Sequence, residues 1–252
     1  MGVLIDPPAT LLRGASLLLD FDGTLVELAD RPDAVIVEKR LRDLLDRLGQ
    51  RLPGRLALIS GRAASQVRAL IGVSGLAVSG SHGLEIHWPD GRISAAGRPA
   101  SLDVVLERLD RFASTHPGVL VERKPLSVAL HYRMAPDAAL ACHDLAGSLA
   151  AETGMMIQTG KMMVELRPGG HDKGSALRTL MATPPMAGTI PVFLGDDDTD
   201  EPAMVAAAAL GGAGILVGAA RPSAARYRLD SVGAVIDWLD AAAHDLADTD
   251  PG

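Results

Sequence analysis

The amino-acid sequence predicts an α/β protein: a doubly wound, Rossmann-like parallel-sheet core with a smaller α+β domain inserted into it. Short apolar runs of strand length alternate with amphipathic stretches of helix length at both ends of the chain. That alternation is typical of a parallel sheet with helices on both faces. Two strand–strand–helix patterns interrupt it in the middle. We therefore expect residues 1–82 and 171–252 to form the core and residues 83–170 to form the insert.

The first part of the core shows a βαβαβ pattern. Apolar runs end in turn residues or follow a Pro-Gly break, as buried parallel strands do. The first helix carries leucines at helical spacing, which form one apolar stripe on a charged helix. The predicted strands and helices alternate in the order 16–20, 38–52, 56–59, 63–71 and 75–79.

The insert and the second part of the core follow from the same signals. The insert begins with a hairpin around Pro89-Asp90-Gly91. Its further elements predict an antiparallel sheet backed by two helices: helix 101–116, strands 119–123 and 127–132, helix 136–151, and strands 155–158 and 162–166. The core then resumes with helix 173–181, strand 191–194, helix 202–210, strand 214–217 and helix 232–243.

Composition excludes several classes of partner. The formal net charge of −7 argues against nucleic acid or an anionic membrane surface as the main partner, because both attract basic proteins. No apolar run reaches about 18 residues, so we expect no membrane span. The single Cys142 and the lack of a recognisable leader favour a cytoplasmic location. The sequence leaves the oligomeric state open, and a monomer is compatible with it.

Three polar clusters each follow an apolar strand of the predicted core, at residues 20–24 (DFDGT), 60–62 (SGR) and 195–200 (GDDDTD). Ligands bind outside the carboxyl ends of the strands in open parallel sheets, so we expect the three clusters to meet at one edge. Each cluster alone is also compatible with a turn or a helix cap. Their convergence is what predicts a functional site.

The residue types in these clusters favour a magnesium site that handles phosphate. Several carboxylates without a histidine or cysteine cluster are typical of a hard cation, and Asp20, Asp22 and Asp196 are the candidate Mg²⁺ ligands. Ser60 and the amide of Gly61, at a predicted helix start, could bind phosphate oxygens.

Hydrolysis of a phosphomonoester would use the same residues. The ammonium of Lys173 could neutralise the charge of a transferring phosphoryl group. Asp20 could attack phosphorus, and Asp22 is placed to protonate the leaving alcohol and to activate water.

These motifs carry a resemblance to a known superfamily. Residues 20–25 (DFDGTL), 60–62 (SGR), 173–174 (KG) and 195–201 (GDDDTDE) resemble, in order, the four signature motifs of the haloacid dehalogenase superfamily. The inserted domain is similar to the second, or C2, cap type of that superfamily. Within the superfamily, the fourth motif is similar to that of the trehalose-6-phosphate phosphatases.

The predicted cap is also similar to that family. Residues 121–124 (VERK), 131–133 (HYR) and 164–168 (VELRP) look like its sugar-recognition segments, and residues 81–85 (SHGLE) resemble its entry into the cap. The resemblance implies that Lys124, Arg133 and Glu165 bind the sugar.

The resemblance implies a role for each core residue as well. Asp20 would be the nucleophile and a metal ligand, and Asp22 would be the acid–base and would offer its backbone carbonyl to Mg²⁺. Asp196 would be the third protein ligand. Asp197 and Asp200 would support the ligands from behind, and Ser60, Gly61 and Lys173 would hold the phosphate.

The function implied by the resemblance is hydrolysis of a small-molecule substrate, trehalose 6-phosphate. The same chemistry on another sugar phosphate, such as glucosyl- or mannosyl-3-phosphoglycerate or sucrose 6-phosphate, is the nearest alternative. A mutase that returns the phosphoryl group to a sugar and a non-catalytic sugar-phosphate sensor are two further alternatives.

Overall fold

A computed structural model describes residues 4–28, 35–160 and 162–248. The chain divides into two compact units. The first unit comprises Met1–Ser94 and His171–Gly252, and the second comprises Ala95–Gly170. Each unit has its own hydrophobic core, as separate domains do.

The described residues form twelve strands and seven α-helices. The first stretch of the first unit contains β1 (Ala15–Leu19), α1 (Lys39–Arg51), β2 (Leu56–Ile59), α2 (Ala64–Ile71), β3 (Ala77–Gly80), β4 (Glu85–His87) and β5 (Ile93–Ala95). The second unit contains α3 (Leu102–Thr115), β6 (Leu120–Arg123), β7 (Val128–His131), α4 (Ala139–Thr153), β8 (Met156–Gly160) and β9 (Met163–Arg167). The first unit resumes with α5 (Lys173–Met181), β10 (Ile190–Gly195), α6 (Glu201–Ala209), β11 (Ala213–Val217), β12 (Tyr227–Leu229) and α7 (Val232–Asp248).

The first unit is built on a sheet with the strand order β12-β11-β10-β1-β2-β3-β4-β5. Its strands are parallel from β12 to β3, and β4 is antiparallel to β3. Every residue of β1 is buried, because both faces of the sheet are covered. Leu17 and Leu19 pack with leucines of α1, whereas Leu18 packs with residues of α5 and α6.

The second unit is an antiparallel sheet with the order β6-β7-β9-β8. Alternate side chains of its two inner strands, among them Val128, Leu130, Val164 and Leu166, pack with apolar residues of α3 and α4. Because side chains alternate across a strand, the residues between them point to the other face of the sheet. Glu165 lies on that other face.

The structure corrects one predicted domain boundary. The hairpin strands were expected in the insert, yet β4 pairs with β3 through Val78↔His87 and extends the large sheet of the first unit. The second unit accordingly begins at Ala95 rather than at residue 83. The short strand β12 was not predicted; it forms because Tyr227 to Leu229 can pair with the edge strand β11.

Lys161, which the sequence places in the turn between β8 and β9, lies outside the described residues. Within the described ranges, no helix has the length and apolar character needed to cross a membrane.

Candidate active site

The predicted polar clusters follow three neighbouring strands of the large sheet. Strands β10, β1 and β2 are adjacent and parallel, so their carboxyl ends lie at one edge. Asp196 follows β10, Asp20 follows β1 and Ser60 follows β2. The backbone N–H of Asp20 donates to the carbonyl of Leu194 at 2.9 Å, which extends the β1–β10 ladder up to the first candidate residue.

A group of buried charges lies at this edge. Asp20, Asp196 and Asp200 each direct one carboxylate oxygen into a space where these atoms lie within 4.8 Å of one another. The ammonium of Lys173 donates to Asp20 at 2.7 Å and to Asp200 at 2.6 Å. Lys173 is the first residue of α5, which is fixed by a capping box between Asp172 and the third helical residue. The structure thus joins the first, third and fourth motifs.

One ammonium does not balance three carboxylates in a buried space. Burial, with a further contribution from the Asp196 charge, raises the pKa of Asp20 to about 7. Burial and the neighbouring aspartates also raise the pKa of Asp196 to about 6 and that of Asp200 to about 8. Burial opposes the charge of Lys173, but the charges of Asp20, Asp200 and Asp197 outweigh it and raise the Lys173 pKa.

This imbalance is the observation that fits a metal ion. The group offers only carboxylate oxygens, which are the ligands of hard cations such as Mg²⁺. Asp200 already accepts hydrogen bonds at both oxygens: from Lys173 at one, and from the amides of Asp196 and Asp197 at 3.0 and 3.1 Å at the other. Asp20 and Asp196 are therefore the side chains suited to hold a cation, and Asp200 shapes the loop behind them.

Gly23 allows the first motif to approach Asp196. Its φ is +84°, a conformation that favours glycine. A Cβ atom at this position would lie 2.2 Å from Oδ2 of Asp196. Any larger residue would displace a candidate ligand.

The structure separates Asp22 from Asp20, although the two were expected to face one ion together. Both Asp22 oxygens accept from Arg62, one from Nε and one from Nη2, each at 2.7 Å. This is the bidentate geometry of a strong guanidinium–carboxylate pair. Asp20 thus joins the buried carboxylates, whereas the side chain of Asp22 is directed to the second motif.

Ser60 and Gly61 lie in a turn ahead of helix α2. The helix begins at Ala64, three residues after Gly61, and its first amide donates to Glu85 at 2.9 Å. The helix therefore begins one residue later than predicted, with Gly61 just ahead of it. A Cβ on Gly61 would lie 2.6 Å from the ring of His82, so this turn packs closely against residues 81–85.

Asp197 has a local structural contact. One carboxylate oxygen accepts from the backbone N–H and from the hydroxyl of Thr199, at 2.8 and 2.7 Å. This cap fixes the turn that leads from β10 to α6.

In the second unit, two of the three predicted sugar-binding residues are paired with each other. Lys124 donates to one oxygen of Glu165 at 2.8 Å, and Ser127 donates to the other at 2.6 Å. The Glu165 side chain is only 1% exposed, against 12% for Lys124. Arg133 lies just beyond the end of β7 and is exposed.

Sequence reasoning assigned no role to three residues that contact the motifs or the helix that follows them. Arg62 and Glu85 were quoted within sequence motifs without a role, and Arg221 was not singled out. Arg221 follows β11, whose carboxyl end lies at the same sheet edge, so the strand-end rule could have identified it. The partners of Arg62 and Glu85 are 40 and 21 residues away, and no local pattern indicates them.

Comparison of the sequence with known proteins identifies one family. The trehalose-phosphatase family profile matches residues 18–233, most of the chain. A probable trehalose-phosphate phosphatase of Sinorhizobium fredii is 38% identical over 217 residues, which cover 85% of this chain and 82% of that protein. The trehalose-6-phosphate phosphatase of Escherichia coli is 35% identical over 224 residues, with 88% and 84% covered.

A solved structure agrees with these relatives. The crystal structure of a trehalose-6-phosphate phosphatase related protein superposes with a TM-score of 0.80 and 25% identity, covering 93% of this chain and all of that one. The predicted fold class, a Rossmann-like core with an inserted α+β domain, is confirmed. The match spans both units and all four motifs, and the chain therefore belongs to the trehalose-phosphatase family.

Proposed function

We propose that this protein is a Mg²⁺-dependent phosphatase that hydrolyses trehalose 6-phosphate to trehalose and phosphate. The observation that carries the proposal is the position of Asp20. Its side chain is buried at the end of the central strand and accepts a hydrogen bond from Lys173. It lies in a group of three carboxylates, whose negative charge exceeds the single positive charge of Lys173. The family membership and the activity named for the relatives support the reaction and the substrate.

The first half of the reaction forms an aspartyl phosphate. An oxygen of the Asp20 carboxylate attacks phosphorus, and the bond between phosphorus and the sugar oxygen breaks. The leaving sugar oxygen takes a proton from the Asp22 carboxyl group. Lys173 holds Asp20 in position at 2.7 Å and carries a positive charge next to the phosphoryl group as it transfers.

The second half releases phosphate. Water attacks phosphorus and loses a proton to the Asp22 carboxylate, and the bond between phosphorus and the Asp20 oxygen breaks. This proton replaces the one that Asp22 gave to the leaving sugar oxygen, and the bidentate pair with Arg62 holds the Asp22 side chain beside the second motif. Ser60 and Gly61, in the turn after β2, are the proposed contacts of the phosphate oxygens.

The side chains of Asp20 and Asp196, with the backbone carbonyl of Asp22, would hold the Mg²⁺ ion. When bound, the ion would neutralise negative charge on the carboxylates and on the phosphate oxygens. Asp200 and Asp197 would keep the Asp196 loop in place through the hydrogen bonds described above.

The second unit would supply the sugar specificity, through Lys124, Arg133 and Glu165. The contacts of Glu165 indicate that these three residues have different roles. Its carboxylate is buried and both oxygens are engaged, so we propose that Glu165 orients Lys124 and that Lys124 and Arg133 meet the sugar hydroxyls.

The first experiment measures phosphate release from trehalose 6-phosphate with Mg²⁺ present. We expect Asp20→Asn to lower kcat by at least about 10³-fold, because the amide is a poor nucleophile. Asp237→Asn on helix α7, where the aspartate side chain is 72% exposed, is the matched control and should keep full activity. Chelation of the metal should also abolish turnover. Full activity of Asp20→Asn would refute the mechanism.

The second experiment tests the substrate. We expect kcat/KM to be highest for trehalose 6-phosphate in a panel that includes sucrose 6-phosphate and glucosyl- and mannosyl-3-phosphoglycerate. A site built to hydrogen-bond sugar hydroxyls rejects substrates that leave its polar groups unpaired. A preference for another sugar phosphate would keep the chemistry and refute the substrate. Binding of trehalose 6-phosphate without phosphate release would instead identify a sensor.

A further inference from the structure

Arg221 contacts the backbone carbonyls of the loop that carries Asp196. Its Nη2 atom donates to the carbonyl of Asp197 at 2.8 Å and lies 3.4 Å from the carbonyl of Asp196. Its Nη1 atom donates to Glu201, the first residue of α6, at 2.5 Å. One guanidinium group thus ties the start of the loop to the start of the following helix.

The same stretch of backbone is also bound by Asp200. The buried carboxylate of Asp200 accepts the backbone N–H groups of Asp196 and Asp197. In the peptide unit between these two residues, Asp200 therefore binds the N–H and Arg221 lies 3.4 Å from the carbonyl; Arg221 also binds the next carbonyl along the chain. A backbone bound on both sides has little freedom to move, and the Asp196 side chain that it carries is correspondingly fixed.

The segment that carries Arg221 is itself anchored to helix α6. Glu201 accepts the Arg221 guanidinium with one oxygen and the backbone N–H of Ala224 with the other, at 2.8 Å. Ser223 bonds the amide of Ala225 at 3.0 Å and lies 3.3 Å from the sulfur of Met204 in α6. The Arg221 side chain is 23% exposed and that of Glu201 is 25% exposed, so water screens this pair only in part.

We propose that Arg221 is a positioning residue for the metal site: with Glu201 it clamps the backbone of residues 196–197 so that the Asp196 carboxylate is held ready for the cation. The inference rests on the metal site of the proposed function. Groups that orient a ligand without touching the metal typically change metal affinity by about 10- to 100-fold when they are removed. Arginine is suited to this task because its planar group reaches a carboxylate and a carbonyl at once, which lysine does not.

The test is calorimetric titration of Mg²⁺ into metal-free full-length protein, without substrate. We expect Arg221→Gln to weaken Mg²⁺ binding by roughly tenfold or more. Arg221→Lys should recover part of this loss, because it retains the charge and one contact. The control is Arg226→Gln in the same segment: the Arg226 guanidinium lies over the ring of Tyr227, 5.3 Å from its centre, and its loss should leave the affinity unchanged.

Thermal unfolding of each variant in the presence of a chelator separates positioning from general stability. If Arg221→Gln has wild-type affinity for Mg²⁺, the clamp is refuted, whatever its melting temperature. Glu201→Gln covers the case in which Arg221→Gln does not fold: it removes the ionic partner, keeps the side-chain volume, and should weaken Mg²⁺ binding in the same direction. If the wild-type protein binds no Mg²⁺ at all, the metal site of the proposed function is refuted instead.

Discussion

The two units each bury charged side chains, but they balance these charges differently. In the first unit, the buried group described here combines three carboxylates with the ammonium of Lys173. In the second unit, Glu165 meets one ammonium, that of Lys124, and one hydroxyl, that of Ser127. The second group is complete by itself. The first group retains an excess of negative charge that a bound cation would neutralise.

The difference between the two groups shows that the balance of a buried group of charges bears on its role. A balanced and fully bonded pair is compatible with a purely structural role, whereas an unbalanced group is unfavourable in isolation and indicates a missing partner. Neutralising one member should therefore have opposite effects in the two units.

The largest effect is expected for Lys124→Met in the second unit. This variant leaves the carboxylate of Glu165 buried without its ionic partner, and we expect the free energy of unfolding to fall by about 3 kcal/mol. Urea denaturation measures the change. Lys39→Met is the matched control: Lys39 also pairs with a carboxylate, at 2.6 Å, but its side chain is 85% exposed, and the loss should be about 0.5 kcal/mol or less.

A double variant sharpens this prediction. In Lys124→Met combined with Glu165→Gln, the buried group is neutral and can still bond the Ser127 hydroxyl. We expect part of the lost stability to return. If the single and double variants are equally unstable, the effect comes from packing, and the charge argument for the second unit does not hold.

The next effect concerns Mg²⁺ and the first unit. If Mg²⁺ binds the folded protein as proposed, it relieves the excess negative charge of this group. At a free concentration 100 times its dissociation constant, the free energy of unfolding should rise by about 2.7 kcal/mol. Denaturation with and without Mg²⁺ measures the gain. Lys39→Met should show the whole gain and Asp196→Asn should show little of it; an equal gain in Asp196→Asn would place the ion elsewhere.

The smallest effect is expected for Asp196→Asn in the presence of a chelator. This variant should raise the free energy of unfolding by about 1–2 kcal/mol. Burial and the charge of Asp200 raise the pKa of Asp196 from 3.8 to about 6. A group with a raised pKa in the folded state binds its proton more tightly there, so its stabilising contribution is lost as pH rises.

The pH dependence of stability tests whether Asp196→Asn stabilises the folded protein. Wild-type and variant proteins should have similar stability near pH 4, and the variant should become the more stable between pH 4 and pH 6 and remain so above. Urea denaturation across this range measures the difference. A variant that is less stable than the wild type at pH 7 would show that the carboxylates of the first unit are not in excess.

Most of the fold was predictable because its signals are local. Helix α5 and strand β2 have the predicted bounds: the structure shows a capping box at Asp172 before α5, and a Pro-Gly break precedes β2 in the sequence. Strand β12 was not predictable in the same way. Its three residues show no pattern of their own and become a strand by pairing with β11. The hairpin was predicted, but its place in the large sheet depends on long-range pairing with β3.

The candidate site likewise has features set by local sequence and features set by long-range contacts. The sequence by itself determined which residues follow the strands of the core, and so it determined that Asp20, Ser60 and Asp196 lie at one sheet edge. Strand ends and turn residues are set by neighbouring positions in the chain. The alternation of strands and helices predicts a parallel sheet, and parallel strands have their carboxyl ends on the same side.

Only the tertiary structure decided the partner of each side chain. Asp22 pairs with Arg62, Glu165 orients toward Lys124, and Arg221 contacts the carbonyls beside Asp196. These partners are 24 to 41 residues apart, a separation at which no periodicity links two positions. Their choice depends on which groups packing brings within hydrogen-bond distance and on the charge already buried there, and both are properties of the folded chain.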